Sequence, residues 1–203
     1  VRRFAVGEGG FSCLAFSPDG KVVTAGDDWG VVRVWNTDSG LELPSLHDEE
    51  ADVPDDTSVC AIVFSRDGSL IATASGDSRT RIWDAHTGRL ARVLEGPQVG
   101  VLDLGFSDDG SRLVTSFIDD TVWLWDVDSG EGEQVFGGQG GISFVGFSGG
   151  EVLALSYDGD ETAVLWDALA GKKISTLFLE PEAFPNIVTL SPDSRRMAIG
   201  HDD

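Results

Sequence analysis

The stretch DDTVWLWDVDSG, residues 119–130, begins with two aspartates, continues in an alternating run of aromatic and aliphatic residues, and has a polar ending at glycine. Three further stretches repeat this pattern: VVRVWNTDSG at 31–40, RTRIWDAHTG at 79–88 and TAVLWDALAG at 162–171. Their shared tryptophans are separated by 48, 42 and 41 residues: Trp35, Trp83, Trp125 and Trp166. The stretch at 119–130 is therefore one copy of an internal repeat.

A second pattern recurs with the same intervals, nineteen residues before each of these tryptophans. It is a phenylalanine followed by serine and a turn, as in AFSPDGKVVTAG at 15–26. The phenylalanines are Phe16, Phe64, Phe106 and Phe147. A fifth copy begins as TLSPDSRRMAIGHDD at 189–203, with Leu190 in the phenylalanine position. The sequence therefore holds four repeats and the first part of a fifth.

Each repeat is composed of short segments that favour β-strands. Segments such as LAFS and VVTAG flank a Pro-Asp-Gly turn. The tryptophan-bearing segments, such as VRVW and TRIW, place β-branched and aromatic residues at a period of two. A trailing segment in each repeat, such as RLARVLEG, supplies a fourth strand, and no stretch shows a convincing helical face. We predict an all-β fold with four short strands in every full repeat.

These repeats resemble the WD40 family, whose four-stranded blades recur about every 40–45 residues. The Trp-Asp pair of that family is present at 83–84, 125–126 and 166–167, and Trp35-Asn36 keeps its shape without its charge. The resemblance covers practically the whole chain. It implies that the four tryptophans are structural residues of a β-propeller.

The resemblance also implies a structural aspartate in the turn before the third strand, six residues ahead of each tryptophan. Asp77, Asp119 and Asp160 fit this position, and Asp28 fits if the first repeat has one extra turn residue. The Gly-His pair that precedes the first strand in the family is missing from repeats three to five, and His47 is its one plausible survivor. The Asp-His-Ser/Thr-Trp hydrogen-bond network of the family is therefore expected to be mostly incomplete.

In a propeller each repeat is a blade that buries its two apolar faces against its neighbours. We expect four full blades plus a partial fifth, forming a section of a larger propeller of about seven blades, with a five-bladed ring lacking one strand as the alternative. The expected segments are an outer strand of a preceding or closing blade at 1–6, blade one at 11–46, an acidic insertion loop at 47–57, blade two at 58–95, blade three at 99–137, blade four at 141–180 and the partial blade five at 186–203.

The chain of 203 residues is strongly acidic, with 35 acidic against 14 basic residues and a formal charge of −21. A surface this negative repels phosphate backbones, so nucleic acid is not expected as a partner. No run approaches the roughly 18 apolar residues of a membrane span, so no membrane contact is expected either. The acidity fits solubility or adaptation to a salty medium, or alternatively a protein partner with a basic segment.

The candidate partner-binding residues lie in connections between strands. The insertion LHDEEADVPDDTS at 46–58 carries six acids: Asp48, Glu49, Glu50, Asp52, Asp55 and Asp56. It is either a solvated loop or a docking patch for a basic segment, and it lacks the spacing of a known calcium loop. Trp29 and Phe184 lie in turns, where each is either a contact anchor or packs against its own blade.

The sequence shows no catalytic, cofactor-binding or metal-ligating constellation. Three histidines lie in different repeats, and no phosphate loop, nucleophile elbow or Cys/His metal spacing occurs. The leading hypothesis is a non-catalytic protein–protein interaction scaffold without a cofactor, part of a larger protein or complex. The alternatives are the sensor region of a signalling ATPase or protein kinase and, less favoured, a propeller enzyme. Two cysteines without a disulfide framework fit an intracellular, cytoplasmic location, and the oligomeric state is left open.

Overall fold

Eighteen β-strands make up the regular structure of the part of the chain that is described, and no helix occurs in it. The structure is a computed structural model that covers residues 10–46, 48, 58–138, 140–157, 162–178, 185–190 and 196–201. The prediction of an all-β fold is confirmed. Within these ranges, no helix has the length and apolar character needed to cross a membrane. The outer strand expected at 1–6 lies outside the described residues.

The strands form four antiparallel sheets of four strands and one antiparallel pair. Blade one contains β1 (Phe11–Phe16), β2 (Val22–Asp27), β3 (Val32–Asn36) and β4 (Glu42–Leu46). Blade two contains β5 (Val59–Phe64), β6 (Leu70–Ser75), β7 (Thr80–Asp84) and β8 (Leu90–Leu94). Blade three contains β9 (Val101–Phe106), β10 (Arg112–Phe117), β11 (Thr121–Asp126) and β12 (Gly132–Gly137). Blade four contains β13 (Gly141–Ser148), β14 (Glu151–Tyr157), β15 (Thr162–Asp167) and β16 (Lys172–Phe178), and the pair is β17 (Pro185–Leu190) with β18 (Met197–His201).

The first strands of successive blades lie next to one another and form the inner wall of the assembly. β1 contacts β5, β5 contacts β9, β9 contacts β13, and β13 contacts β17. The fourth strand is the outer edge of each full sheet. The sheets are therefore arranged as blades around a common axis, one blade for each full repeat.

The repeat tryptophans of blades two and three pack toward the preceding blade. Trp83 of β7 lies in a buried cluster with Val32 and Leu46 of blade one. Trp125 of β11 lies in a buried cluster with Leu94 of blade two. An aromatic side chain of this size removes a large apolar area from water when it is buried. The tryptophan position therefore joins blade two to blade one and blade three to blade two.

The residue after the tryptophan closes the turn between the third and fourth strands. In blade two, Asp84 Oδ1 accepts a hydrogen bond from the backbone N of Thr87 at 2.7 Å, and the N of Gly88 donates to the Asp84 carbonyl at 2.9 Å. Gly88 has a φ of 70°, a conformation that favours glycine because other residues have a Cβ that clashes there. In blade one, Asn36 Oδ1 accepts from Ser39 N at 2.8 Å, so an amide replaces the carboxylate without loss of this bond.

The inner strand of every blade, including the partial fifth, has a β-bulge at the same repeat position. The register with the second strand skips one residue in each case: Ser12, Cys60, Leu102, Ser143 and Asn186. Each of these residues lies four positions before the phenylalanine or its Leu190 equivalent. A bulge bends its strand and increases the local twist. The inner wall is therefore bent in the same place in every blade.

The indole nitrogen of three repeat tryptophans is hydrogen-bonded to a hydroxyl inside its own blade. The pairs, at 2.9, 2.8 and 2.8 Å, are Trp83 with Thr73, Trp125 with Thr115, and Trp166 with Ser156. In blade one the residue ten positions before Trp35 is Ala25, which has no hydroxyl. The Ser/Thr–Trp part of the expected network is therefore present in blades two, three and four.

We expect Thr115→Val to destabilise the fold, because it leaves the buried Nε1 of Trp125 without its acceptor. An orphaned buried donor costs about 1–3 kcal/mol. Urea unfolding followed by tryptophan fluorescence measures the change in the free energy of unfolding. Thr115→Ser keeps the hydroxyl and serves as the control, and it should retain most of the stability. Equal stability of the valine variant and the unaltered chain would contradict the assignment.

Candidate partner-binding site

The turn between the second and third strands is where the sequence predicts a structural aspartate. Asp77 Oδ1 accepts a hydrogen bond from the backbone N of Arg79 at 3.1 Å, and Asp119 Oδ1 accepts one from the N of Thr121 at 3.1 Å. Each of these aspartates therefore braces its own turn through the amide two residues further on. Asp160 lies outside the described residues.

The aspartate predicted for blade one, Asp28, does not occupy this position, and that prediction was wrong. In blades one and two alike, five residues lie between the last paired residues of the second and third strands. The extra turn residue that Asp28 would need is therefore absent, and Trp29 stands at the position of Asp77. Asp27 braces the turn instead, because its Oδ1 accepts from the N of Trp29 at 3.0 Å and from the N of Val31 at 2.9 Å. Asp28 accepts a hydrogen bond from the backbone just before β1.

Trp29 projects from this turn into solvent. Its exposure is 68%, whereas the residue that holds its backbone, Asp27, is 4% exposed. Tryptophan is mostly buried in monomeric proteins, and it is enriched at the energetic centres of protein interfaces. An exposed indole on a fixed backbone loses little conformational entropy when it is buried by a partner. Of the two interpretations of Trp29 from the sequence, this geometry favours the contact anchor.

The first acidic residue of the insertion, Asp48, is bound to blade two through Arg81. The Nε of Arg81 lies 2.9 Å from Asp48 Oδ2, and its Nη2 lies 2.6 Å from Asp77 Oδ2. All three side chains are nearly buried, with exposures of 6%, 12% and 4%. Burial by itself lowers the pKa of Arg81, but the hydrogen bonds that Arg81 donates to Asp77 and Asp48 outweigh it and the pKa is raised overall. The guanidinium therefore stays charged between two carboxylates.

The position of Arg81 is occupied differently in the neighbouring blades. In blade one it is Arg33, whose Nη1 lies 3.0 Å from Glu42 Oε1. In blade three it is Trp123, which stacks on Trp125 with ring centroids 5.4 Å apart and packs against the core between blades two and three. The described arginines of this position are thus bound within the protein, and Trp123 fills space between blades.

The remaining candidate residues from the sequence lie outside the described part of the chain: Glu49, Glu50, Asp52, Asp55, Asp56 and Phe184. The structure therefore brings together Asp48, Arg81 and Asp77 beside the turn between β6 and β7 of blade two. Trp29 lies in the corresponding turn of blade one.

Asp103 is a polar residue of the inner wall that the sequence analysis missed. Its Oδ2 accepts a hydrogen bond from the N of Val145 in blade four at 3.1 Å, and its Oδ1 accepts from the N of Leu104 at 2.9 Å. Burial of the carboxyl raises the pKa of Asp103 to about 6, and these two hydrogen bonds offset only part of the effect. The available signal was an acid inside the apolar run VLDLGF at 101–106.

Among the residues for which the structure gives positions, no three His, Cys, Asp or Glu side chains are grouped so as to hold a metal ion. Asp103 connects the inner strands of blades three and four, as Cys60 connects those of blades two and three through Sγ to the Val101 carbonyl at 3.2 Å. Its role in the geometry is to join blades.

The blades around one axis and their repeated turns define the protein as a β-propeller of four-stranded repeats. A family model described as "WD domain, G-beta repeat" matches residues 3–36, 51–84 and 88–126, together just over half of the chain. The chain belongs to the WD40 repeat family.

Curated relatives match about a third of the chain. Periodic tryptophan protein 2 of Saccharomyces cerevisiae is 38% identical over 74 residues, which are 36% of this chain and 7% of that protein. Its homolog of Schizosaccharomyces pombe is 36% identical over 75 residues, 36% of this chain and 8% of that protein. Apoptotic protease-activating factor 1 of Homo sapiens is 35% identical over 78 residues, 37% of this chain and 6% of that protein. The matches thus cover a small part of these relatives.

Solved structures are similar over most of the chain. The structure of U3-55K gives a TM-score of 0.74 at 18% identity and covers 87% of this chain and 54% of that one. The crystal structure of the RRP9 WD40 repeats gives 0.75 at 18% identity, with 87% and 53% covered. At this level of identity the likeness shows the fold. The chain spans about half the length of these solved relatives.

We expect Asp103→Asn to change how stability depends on pH. The pKa of Asp103 in the folded state, about 6, lies above its ordinary 3.8, so the folded state holds this proton to higher pH than the unfolded state. The contribution of Asp103 to stability is then greatest at acid pH and falls as the pH rises from about 4 through 6. Asparagine cannot ionise, so the stability of the variant relative to the unaltered chain should increase over that range.

Urea unfolding at about pH 4.5, 5.5 and 7 measures the difference in the free energy of unfolding between the two proteins. The test uses the change in this difference with pH and not its absolute value, because asparagine also replaces one acceptor by a donor. A difference that stays constant with pH would show that Asp103 titrates normally.

Proposed function

We propose that this WD40 chain is a non-catalytic platform that binds a basic segment of a protein partner at Trp29 and the acidic insertion. The observation that most supports it is the 68% exposure of Trp29 on a turn whose backbone is held by buried Asp27. Exposed aromatic side chains with a fixed backbone are typical anchors of protein interfaces. The WD40 fold supports the binding role because its repeats form a rigid scaffold for exposed loops.

The charge of the chain supports a basic partner. The formal charge is −21, and two arginines close to the candidate site, Arg33 and Arg81, are already paired with carboxylates. The acids of the insertion, Glu49 to Asp56, contribute to this negative charge. A negative field of this kind attracts a cationic segment and accelerates its association. An arginine of the partner can also stack on the indole of Trp29.

The chain fits a section of a larger propeller, as its sequence predicts. Leu14 is 67% exposed, whereas the residues at its position in blades three and four, Leu104 and Val145, are 6% and 1% exposed because a preceding blade covers them. Phe16, on the same strand, is 59% exposed. A further blade on this face would bury both residues. Hydrogen exchange of β1 in a longer chain with flanking repeats tests this, and unchanged exchange would contradict it.

A regulatory role beside a signalling domain is the second candidate function. The similarity to apoptotic protease-activating factor 1, a protein named for activating a protease, favours it. The flanking reading frame tests this role, because an ATPase or kinase signature there would support it.

We place the protein inside the cell, in the cytoplasm. Its described cysteines, Cys13 and Cys60, are free thiols, which fits a reducing compartment.

We expect Trp29→Ala to weaken binding of a labelled arginine-rich peptide by about tenfold or more, because it removes the aromatic anchor. Leu169→Ala is the matched control, since Leu169 is also exposed, at 48%, but lies in blade four. Fluorescence anisotropy at two salt concentrations measures the dissociation constants. The counterpart peptide with glutamates in place of arginines should not bind.

Neutralising the acids of the insertion tests whether peptide binding depends on the local charge of the insertion or only on the net charge of the chain. The variant changes Glu49 and Glu50 to Gln and Asp52, Asp55 and Asp56 to Asn. The control neutralises five exposed acids elsewhere: Asp38, Asp128, Glu131, Glu133 and Glu151. Both variants change the charge equally, so only a local docking patch makes the first lose more affinity than the second. Equal loss would remove the insertion from the proposed site, and no effect of Trp29→Ala would remove the anchor.

A further inference from the structure

The outer strand of blade four, β16 (Lys172–Phe178), pairs with β15 on one side and ends its sheet on the other. Two of its large apolar side chains are exposed: Ile174 at 48% and Phe178 at 86%. A strand at the end of a sheet presents backbone N–H and C=O groups with which a further strand can pair. The edge of blade four is therefore able to accept an extended segment.

The outer strands of the other three full blades carry residues that oppose such pairing. β4 contains Pro44, which has no N–H to donate. β8 contains Arg92, whose Nη1 donates to the carbonyl of Ser129 in blade three at 3.0 Å. β12 contains Glu133 and begins and ends with glycine. The segment 174–178 of β16 holds no charge, proline or glycine, so it is the least protected of the four outer edges.

The backbone N–H and C=O of Thr176 point away from β15. In blade two the N of Asp84, the residue after the repeat tryptophan, donates at 2.9 Å toward the fourth strand. Asp167 is the same residue of blade four, and backbone groups reverse their direction at each step along a strand. Val164 therefore bonds toward β14, and its partner on β16, Thr176, has its backbone groups on the open side of the sheet.

The positive end of β16 indicates the chemistry of the segment that would pair with it. Lys172 and Lys173 are two of the three lysines in the chain. Across the ranges for which the structure gives positions, neither lysine makes an ion pair. An acidic residue of an added segment would lie beside them, and apolar residues beside Ile174 and Phe178. In an antiparallel arrangement, the acidic residue belongs at the C-terminal end of the segment.

We propose that the outer edge of blade four is a docking site for an extended segment of another protein. The segment adds to β16 as an antiparallel strand, with apolar residues along its length and an acidic C-terminal end beside Lys172 and Lys173. A second copy of this chain fits the edge less well, because each copy carries a formal charge of −21 and two copies repel each other. The contact of two outer strands alone is also small beside the roughly 1,200 Å² that stable interfaces bury.

Two labelled peptides of identical composition test the proposal on the unaltered chain. Each has blocked termini, is as long as β16 and alternates valine with threonine. One peptide carries a pair of glutamates at its C-terminal end, and the other carries the same pair at its N-terminal end. We expect the first to bind about threefold or more tightly, because only its glutamates meet the lysines in an antiparallel arrangement. Equal dissociation constants by fluorescence anisotropy, or no binding of either peptide, would overturn the proposal.

Thr176→Pro removes the outward N–H, and Val93→Pro is its matched control. Val93 holds the same repeat position on the outer strand of blade two, opposite the residue two before the tryptophan, and both side chains are half-buried. We expect Thr176→Pro to weaken binding of the first peptide by about tenfold or more, and Val93→Pro to leave it unchanged. Hydrogen exchange of the Thr176 amide, followed by NMR in the unaltered chain, should be rapid without the peptide and slow with it.

The other outcomes identify a different occupant or a different place of binding. If the peptide binds but Thr176→Pro equals Val93→Pro in affinity, or the Thr176 amide stays unprotected, the peptide lies elsewhere and the proposal fails. Dimers of the unaltered chain in sedimentation that disappear in Thr176→Pro would make a second copy the occupant and would also overturn it. If Thr176→Pro does not fold, the two peptides and the Thr176 amide of the unaltered chain still decide. Trp29→Ala should leave this binding unchanged, so the proposal stands or falls separately from the proposed function.

Discussion

The structure depends on one constraint: a four-stranded blade has two apolar faces, and each must be buried against another blade. A single sheet of this size cannot bury both faces by itself. The tryptophan of β7 meets this requirement by packing into the cluster of Val32, Leu46 and Val59, and the tryptophan of β11 does so one blade later. Blade-to-blade packing therefore fixes the position of the tryptophan within each repeat, since each blade must return to the same place in its neighbour.

This constraint explains why so much of the fold could be predicted from the sequence. A strict packing position requires the same residue type at each return, and the tryptophans and phenylalanines show it directly. The turn residues are equally constrained. Asp84 and Asn36 accept the same backbone hydrogen bond, and Gly88 is needed where φ is positive. Residues whose backbone geometry or packing leaves few alternatives are the ones that a repeat pattern reveals.

The features that the sequence did not predict are those for which many residue types serve equally well. The bulge residues include Ser12, Leu102 and Asn186, which share no property that a pattern can show. A bulge is determined by the backbone path of the inner wall, and its side chain is free to differ. The contacts of Asp103 and Arg81 were not predicted for a different reason. Each contact is made in one blade, so no repeated pattern in the sequence indicates it. A pattern search finds what recurs, and these contacts do not recur.

Blade one illustrates how a binding residue can arise within such a constrained scaffold. In blade two, the carboxylate of Asp77 braces its turn and also binds Arg81. In blade one, Asp27 braces the turn of equal length from two positions earlier, with hydrogen bonds to two backbone amides. The blade-one residue at the repeat position of Asp77 is therefore not needed to hold the turn. A tryptophan can occupy that position with its side chain in solvent. The exposed position of Trp29 thus follows from a change in which residue holds the turn. A search for function in repeats of this kind should therefore begin where a structural residue has been displaced along the chain.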